Sequence, residues 1–174
     1  SVDPNSVVAY QTLGLAHRLN FDLEESAAAY SRALELDGNS AASKRSLAEM
    51  KRALGKPDEA AALYREIVAA NDNDSAAATG LILSLFGSGK IAEAEAEMAR
   101  SLERNPQNLN LLAGAAYWYA ANDSGEKAVE LARKAVEMEP RYIWGHIALA
   151  RGLMGQRRPV EAERVLVMAR QYGN

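Results

Sequence analysis

The sequence repeats itself every 34 residues, and this period restricts the folds that the chain can adopt. The stretch EESAAAYSRALELDG at 24–38 aligns without insertion or deletion with DEAAALYREIVAAND at 58–72, AEAEAEMARSLERNP at 92–106, EKAVELARKAVEMEP at 126–140 and VEAERVLVMARQYGN at 160–174. Five copies therefore fill the chain, at 7–40, 41–74, 75–108, 109–142 and 143–174. A fixed period of this length is typical of stacked-repeat proteins.

Each copy contains two segments with helical apolar periodicity, separated by a short breaker. The breakers are NFD at 20–22, GKP at 55–57, GSGK at 87–90, NDSG at 122–125 and GQRRP at 155–159. Turn formers join the copies and include the candidate N-caps Ser40, Asp74 or Ser75, and Asn108. Apolar residues make up 48% of the chain but aromatic residues only 6%, so packing depends on Ala and Leu, which favour helices. We expect an all-α chain of ten antiparallel helices, each of about 14 residues, and no strand.

Small residues recur at the positions where paired helices should cross. The eighth, twentieth and twenty-seventh positions hold mostly Ala, Gly or Ser, as in Ala48, Ser26 and Ala135. This pattern resembles the tetratricopeptide repeat (TPR) family over essentially the whole chain. The resemblance implies a right-handed α-solenoid of antiparallel helix pairs, with a concave groove lined by the first helix of each pair. Lys44 and Lys51 stand where the family favours large aromatic residues, so either copy two packs more loosely on copy one or the lysine stems lie along the apolar surface.

The chain carries no pattern that indicates catalysis, a cofactor or a metal site. The charge of −3 argues against nucleic acid as a partner, and zero Cys excludes disulfides and thiolate sites. No apolar run is long enough to insert in a membrane. GSGK at 87–90 lacks the remaining residues of a phosphate-binding loop, and NDNDS at 71–75 lacks those of a calcium loop. His17 and His146 have no catalytic neighbours at suitable spacing, so we interpret both as packing residues.

The second, fifth, ninth and twelfth positions of each copy are predicted to face the groove. Copies one and two supply three arginines and one acid there, which favours acidic residues in a partner segment. Copies three to five supply apolar and aromatic side chains, which protein-binding patches enrich. The predicted partner-binding set is Arg18, Arg45, Glu49, Arg52, Leu83, Phe86, Tyr117, Trp144, Ile147 and Arg151. Three alternatives stay open: Glu49 pairs with arginines of its own helix, Phe86 and Met154 pack between copies, and missing segments of the protein itself fill the groove.

The sequence predicts a non-catalytic scaffold that binds a peptide or helical segment of a partner protein. One alternative is a structural spacer that self-associates through the last helix, whose run from Val165 to Met168 has no following helix to cover it. Another is a regulatory domain of an enzyme encoded outside the segment. We expect the array to be part of a longer repeat protein, soluble, and either cytoplasmic or periplasmic. High Ala content and the lack of Cys favour a bacterial source.

Overall fold

The computed structural model of the chain describes residues 6–172, which form ten helices and no strand. The helices are α1 (Val7–Leu19), α2 (Leu23–Leu36), α3 (Ala41–Ala53), α4 (Pro57–Ala70), α5 (Ser75–Gly87), α6 (Ile91–Arg104), α7 (Leu109–Ala121), α8 (Gly125–Met138), α9 (Ile143–Gly155) and α10 (Pro159–Arg170). Odd-numbered helices are the first helices of the five copies, and even-numbered helices are the second ones. The predicted all-α class and its helix-pair organisation are confirmed.

Side-chain caps fix the start of most first helices. Ser6, Ser40, Asp74 and Asn108 each accept a hydrogen bond from the backbone N–H three residues further along the chain. These bonds satisfy donors that the first helical turn leaves without an intrahelical partner. Asp74, and not Ser75, is therefore the cap of α5.

The turn inside every helix pair uses one left-handed residue at the same position of the repeat. Gly55 and Gly89 have φ angles of 72° and 75°, as expected for glycine in such a turn. Phe21, Asp123 and Arg157 adopt the same conformation, with φ angles of 62°, 56° and 58°. The glycines of the last two breakers do not take this role, since Gly125 opens α8 and Gly155 closes α9. The conformation thus follows the repeat register and not the location of glycine.

The contacts divide the chain into two compact units, Ser1–Glu97 and Met98–Asn174, with the boundary inside α6. In the first unit, α2 packs on α1, α3 on α2, α4 on α3, and α5 on both α3 and α4. In the second unit, α8 packs on α7, α9 on both α7 and α8, and α10 on α9. A single continuous array over 1–174 stays a prediction.

Tyrosine rings fill the space between helices of the first unit. A Cβ built at Gly14 would lie 2.9 Å from the Tyr30 ring, and one at Gly80 would lie 2.4 Å from the Tyr64 ring. Glycine at these two positions therefore permits the close approach of the ring to the neighbouring helix. The buried Ser26 hydroxyl donates to the Gly14 carbonyl oxygen over 2.8 Å and ties α2 to α1.

The two lysines that replace aromatic residues in α3 lie along the helix pair, as the second of the two interpretations held. Both side chains are largely buried, and their ammonium groups contact carboxylates of α4. The Lys44 Nζ lies 2.7 Å from Glu66, and the Lys51 Nζ lies 2.5 Å from Glu59. The stems supply apolar contact while the charged ends remain at the surface.

Small side chains dominate the interior of the second unit. Ala128, Ala132 and Ala135 of α8 are fully buried. His146 is buried as well, and its Nε2 lies 2.8 Å from the Pro140 carbonyl oxygen. His146 is therefore a packing residue, as its sequence context indicated.

Candidate partner-binding surface

In the first unit, two arginines predicted to face a partner are bound to carboxylates of the chain itself. The Arg18 Nη1 on α1 donates to the Glu49 Oε2 on α3 over 2.8 Å. The Arg45 guanidinium donates to Asp74, the cap of α5. The first pair connects copy one to copy two, and the second connects α3 to the cap of α5. Glu49 thus binds an arginine of the preceding copy, and not one of its own helix as the alternative proposed.

The other predicted residues of the first unit differ in burial. Arg52 is exposed beside the buried phenol of Tyr64, whose pKa burial raises above its usual value. Leu83 is half-buried, and Phe86 is only 1% exposed. The inclusion of Phe86 in the binding set is therefore corrected, because its ring packs inside the protein as the alternative interpretation held. Of the three predicted arginines, Arg18 and Arg45 therefore already have carboxylate partners within the chain.

In the second unit, the predicted residues of α7 and α9 come together. The Arg151 guanidinium lies over the Tyr117 ring, with its Cζ 4.2 Å from the ring centroid. The Arg151 Nη1 also donates to the Tyr117 hydroxyl over 2.5 Å. Ile147 and Met154 lie one helical turn on either side of Arg151. This arrangement holds the flat arginine against the aromatic ring and leaves both side chains partly exposed.

These four side chains line one wall of an open pocket of about 1080 Å³, which we call the α9–α10 pocket. The opposite wall is α10, which contributes Pro159, Ala162, Glu163, Leu166, Val167, Ala169 and Arg170. The lining is mostly apolar, with charges of both signs on Arg151, Glu163 and Arg170. Trp144 is 63% exposed but does not line the pocket.

Sequence reasoning missed the α10 wall as part of the site. It identified the last helix as uncovered but placed the binding residues on first helices alone. The sequence contained a signal for this wall. Leu166 aligns with interior residues of earlier copies, whereas Val167 is apolar at a position where earlier copies have surface residues. An apolar pocket bounded by two helices, with aromatic, methionine and arginine side chains at its edge, is suited to binding a protein segment.

Metal-binding side-chain groups and membrane-spanning helices are both absent from the described part of the chain. No group of three or more His, Asp or Glu side chains in residues 6–172 is arranged to hold a metal ion. No helix in that range has both the length and the apolar character that crossing a membrane requires.

Helix pairs of 34 residues, joined by matching turns, define a helical-repeat protein. The tetratricopeptide repeat family model matches residues 12–78 and 79–142, and the chain therefore belongs to the TPR family. Proteins with this fold are protein-interaction scaffolds, generally non-catalytic, and their partners are other proteins. No curated protein sequence matches the chain significantly.

Solved structures of other TPR proteins share the fold. TTC0263, a TPR protein of Thermus thermophilus, is 18% identical with a TM-score of 0.79, over 96% of this chain and 91% of its own. A tetratricopeptide repeat protein of Parabacteroides merdae is 16% identical with a TM-score of 0.80, over 98% of this chain and 67% of its own. PilF of Pseudomonas aeruginosa is 19% identical with a TM-score of 0.71, over 97% of this chain and 77% of its own. Identities this low establish the fold alone.

Proposed function

We propose that this scaffold captures a helical segment of a partner protein in the α9–α10 pocket. The observation that carries the proposal is the convergence of Tyr117, Ile147, Arg151 and Met154 with the apolar side of α10 on one open pocket. Burial of an apolar surface of this kind is the main source of affinity in helix-in-groove recognition.

The packing of the second unit explains why a helix is the favoured occupant. In that unit, α9 lies against both α7 and α8, the two helices of the preceding pair. The α9–α10 pocket is bounded by the next pair, α9 and α10, with Tyr117 of α7 at its edge. A helix in the pocket would therefore contact α9 and α10 much as α9 contacts α7 and α8.

Arg151 would orient the bound partner segment more than it would increase the binding affinity. Its guanidinium is already stacked on Tyr117, so little side-chain entropy remains to be lost when a partner carboxylate binds it. Because Arg151 is exposed, a single ion pair there is worth about 0–1 kcal/mol. The prediction of acidic partner residues near copies one and two is not part of this proposal, since Arg18 and Arg45 have carboxylate partners of their own.

Selection from a displayed library of helix-forming peptides tests the proposal. Peptides enriched on the intact chain are measured by fluorescence anisotropy against Met154→Glu and against Val160→Glu. Both residues are exposed and apolar in the second unit, but only Met154 lines the pocket. We expect Met154→Glu to weaken binding at least about tenfold, or about 1.4 kcal/mol, and Val160→Glu to leave it within about twofold. Equal weakening by both variants, or by neither, would contradict the proposal.

Self-association is a second candidate function, and the exposed apolar surface of α10 favours it. Leu166, Val167 and Met168 are each about half exposed. Three consecutive apolar residues with that exposure are typical of a surface that becomes covered by another molecule.

A further inference from the structure

One surface of α3, α5 and α9 packs on the second helix of the preceding copy. This surface is formed by the third, seventh and tenth positions of the copy. In the first unit, Leu47 and Met50 of α3 form one buried cluster with Ala27 and Tyr30 of α2. The cluster therefore defines which positions meet at a joint between copies.

The second unit repeats the joint with smaller side chains. A Cβ built at Gly152 of α9 would lie 3.1 Å from the Ala128 Cβ of α8. One built at Gly145 would lie 3.5 Å from the Ala135 Cβ. Gly145 and Gly152 occupy the third and tenth positions of their copy, as Ser43 and Met50 do in theirs. The same register thus joins copies in both units.

The last helix has the receiving half of this joint at its surface. Leu166 of α10 corresponds to Tyr30 of α2, which is 4% exposed, yet Leu166 is 45% exposed. Leu166 lines the α9–α10 pocket together with Glu163, which corresponds to the buried Ala27. We call this surface of α9 and α10 the tail.

The first helix has the inserting half of the joint at its surface. Ala9, Leu13 and Ala16 of α1 correspond to Ser43, Leu47 and Met50 of α3. Leu13 is 46% exposed, whereas Leu47 is 6% exposed. We call the surface of α1 formed by Ala9, Leu13 and Ala16 the head.

We propose that the head of a second copy docks in the α9–α10 pocket, so that chains associate head to tail through the joint that connects successive copies within one chain. The inference rests on the proposed use of the pocket for helix binding, and it names the helix. A second copy is favoured because its α1 already has the register and the small residues that this joint uses.

The edge of the joint is also chemically matched. Within the chain, Arg18 at the twelfth position of copy one binds Glu49 at the ninth position of copy two. At the head-to-tail joint the same two positions hold Met154 of one chain and Leu15 of the next. Both side chains are about half exposed. An apolar pair therefore replaces the ion pair at this edge.

The head and the tail are different surfaces, and the joint is therefore heterologous. Such a contact leaves one head and one tail free after each addition, so growth continues past the dimer unless the assembly closes into a ring. This property distinguishes head-to-tail association from a symmetric contact between two tails.

Sedimentation velocity with two blocked variants tests the inference. Leu13→Glu blocks the head, Leu166→Glu blocks the tail, and Met138→Glu is the control, since Met138 is exposed on α8 and lies outside the joint. For the wild-type chain and the control, we expect the average mass to rise with concentration up to about 100 μM, a range that reveals micromolar joints. Each blocked variant alone should keep the monomer mass. Their equimolar mixture retains one intact joint and should reach twice that mass without growing further.

Three outcomes would overturn the inference. One is a wild-type chain that stays monomeric, another is a mixture that stays monomeric while the wild type associates, and the third is dimerisation of the head-blocked variant alone. Circular dichroism verifies the fold of each variant, and Leu13→Gln and Leu166→Gln replace any glutamate variant that is unfolded. A monomeric wild type that still binds selected peptides through Met154 would refute the joint and leave the proposed function intact. Association of the wild-type chain without binding of selected peptides would support the joint and refute the proposed function.

Discussion

Replacing glycine in the left-handed turn of copy two should destabilise the protein, and introducing glycine in copy one should stabilise it. Gly55 has a φ of 72°, and no atom lies within 4 Å of a Cβ built there, so Gly55→Ala probes backbone conformation without a steric clash. A left-handed L-residue costs about 1–2 kcal/mol. Alanine also lowers the conformational entropy of the unfolded chain, and this effect offsets about 0.5–1 kcal/mol of that cost. The net loss should be about 1 kcal/mol, or about 2–4 °C in Tm for a chain of this length.

Phe21→Gly reverses the change at the equivalent position. Phe21 has a φ of 62° and is 86% exposed, so removing its ring forfeits little apolar burial. We expect Tm to rise by about 1–4 °C, measured by circular dichroism. Gly38→Ala is the matched control, because Gly38 is in a turn but its φ lies outside the left-handed region. The Tm of this control variant should not fall. An unchanged Tm for Gly55→Ala, or a lower Tm for Phe21→Gly, would refute the conformational argument.

Four further substitutions, at three positions, examine other contacts of the first unit. Asp74→Asn should keep the cap of α5 but lose the charge pair with Arg45, whereas Asp74→Ala should lose both and destabilise by about 1 kcal/mol more in urea unfolding. Ser26→Ala removes a buried hydrogen bond to a backbone carbonyl oxygen and should lower the free energy of unfolding by about 1 kcal/mol in the same assay. A hydrogen bond from Lys51 holds the pKa of Glu59 below its usual value, so its stabilising contribution is present above the usual glutamate pKa and is lost as pH falls through the lowered one. Lys51→Met should bring that pKa back up in carboxyl NMR titrations; an unchanged pKa would contradict the assigned cause.

The helix boundaries were predictable from the sequence because repeats reinforce one another. A single Asp-Gly or Asn-Pro pair is weak evidence for a turn, but four aligned junctions between copies specify the period and the register together. Ser40, Asp74 and Asn108 could be identified as caps for the same reason, since each stands at the same place in its copy.

The details that the sequence did not reveal depend on contacts between residues far apart in the chain. The left-handed φ of Phe21 and Arg157 has no local signal, because the packing of the helix pair imposes a turn that neither residue favours. Likewise, a position facing the groove on one helix is not necessarily exposed. Phe86 is covered by its surroundings, and Arg18 is bound by Glu49 of the next copy. Helical periodicity gives a residue's direction but not the length of the side chains that meet it.

The methyl NMR spectrum of the five methionines provides the most direct test of the α9–α10 pocket as the binding surface. Met154 lines the pocket, Met168 is exposed on α10 but does not line it, Met138 is exposed on α8, and Met50 is buried in the first unit. During titration with a peptide selected by display, we predict that the Met154 methyl signal shifts or broadens first and most. The signals of Met50 and Met138 should stay in place. Shifts at Met138 or Met168 with an unmoved Met154 would contradict this account.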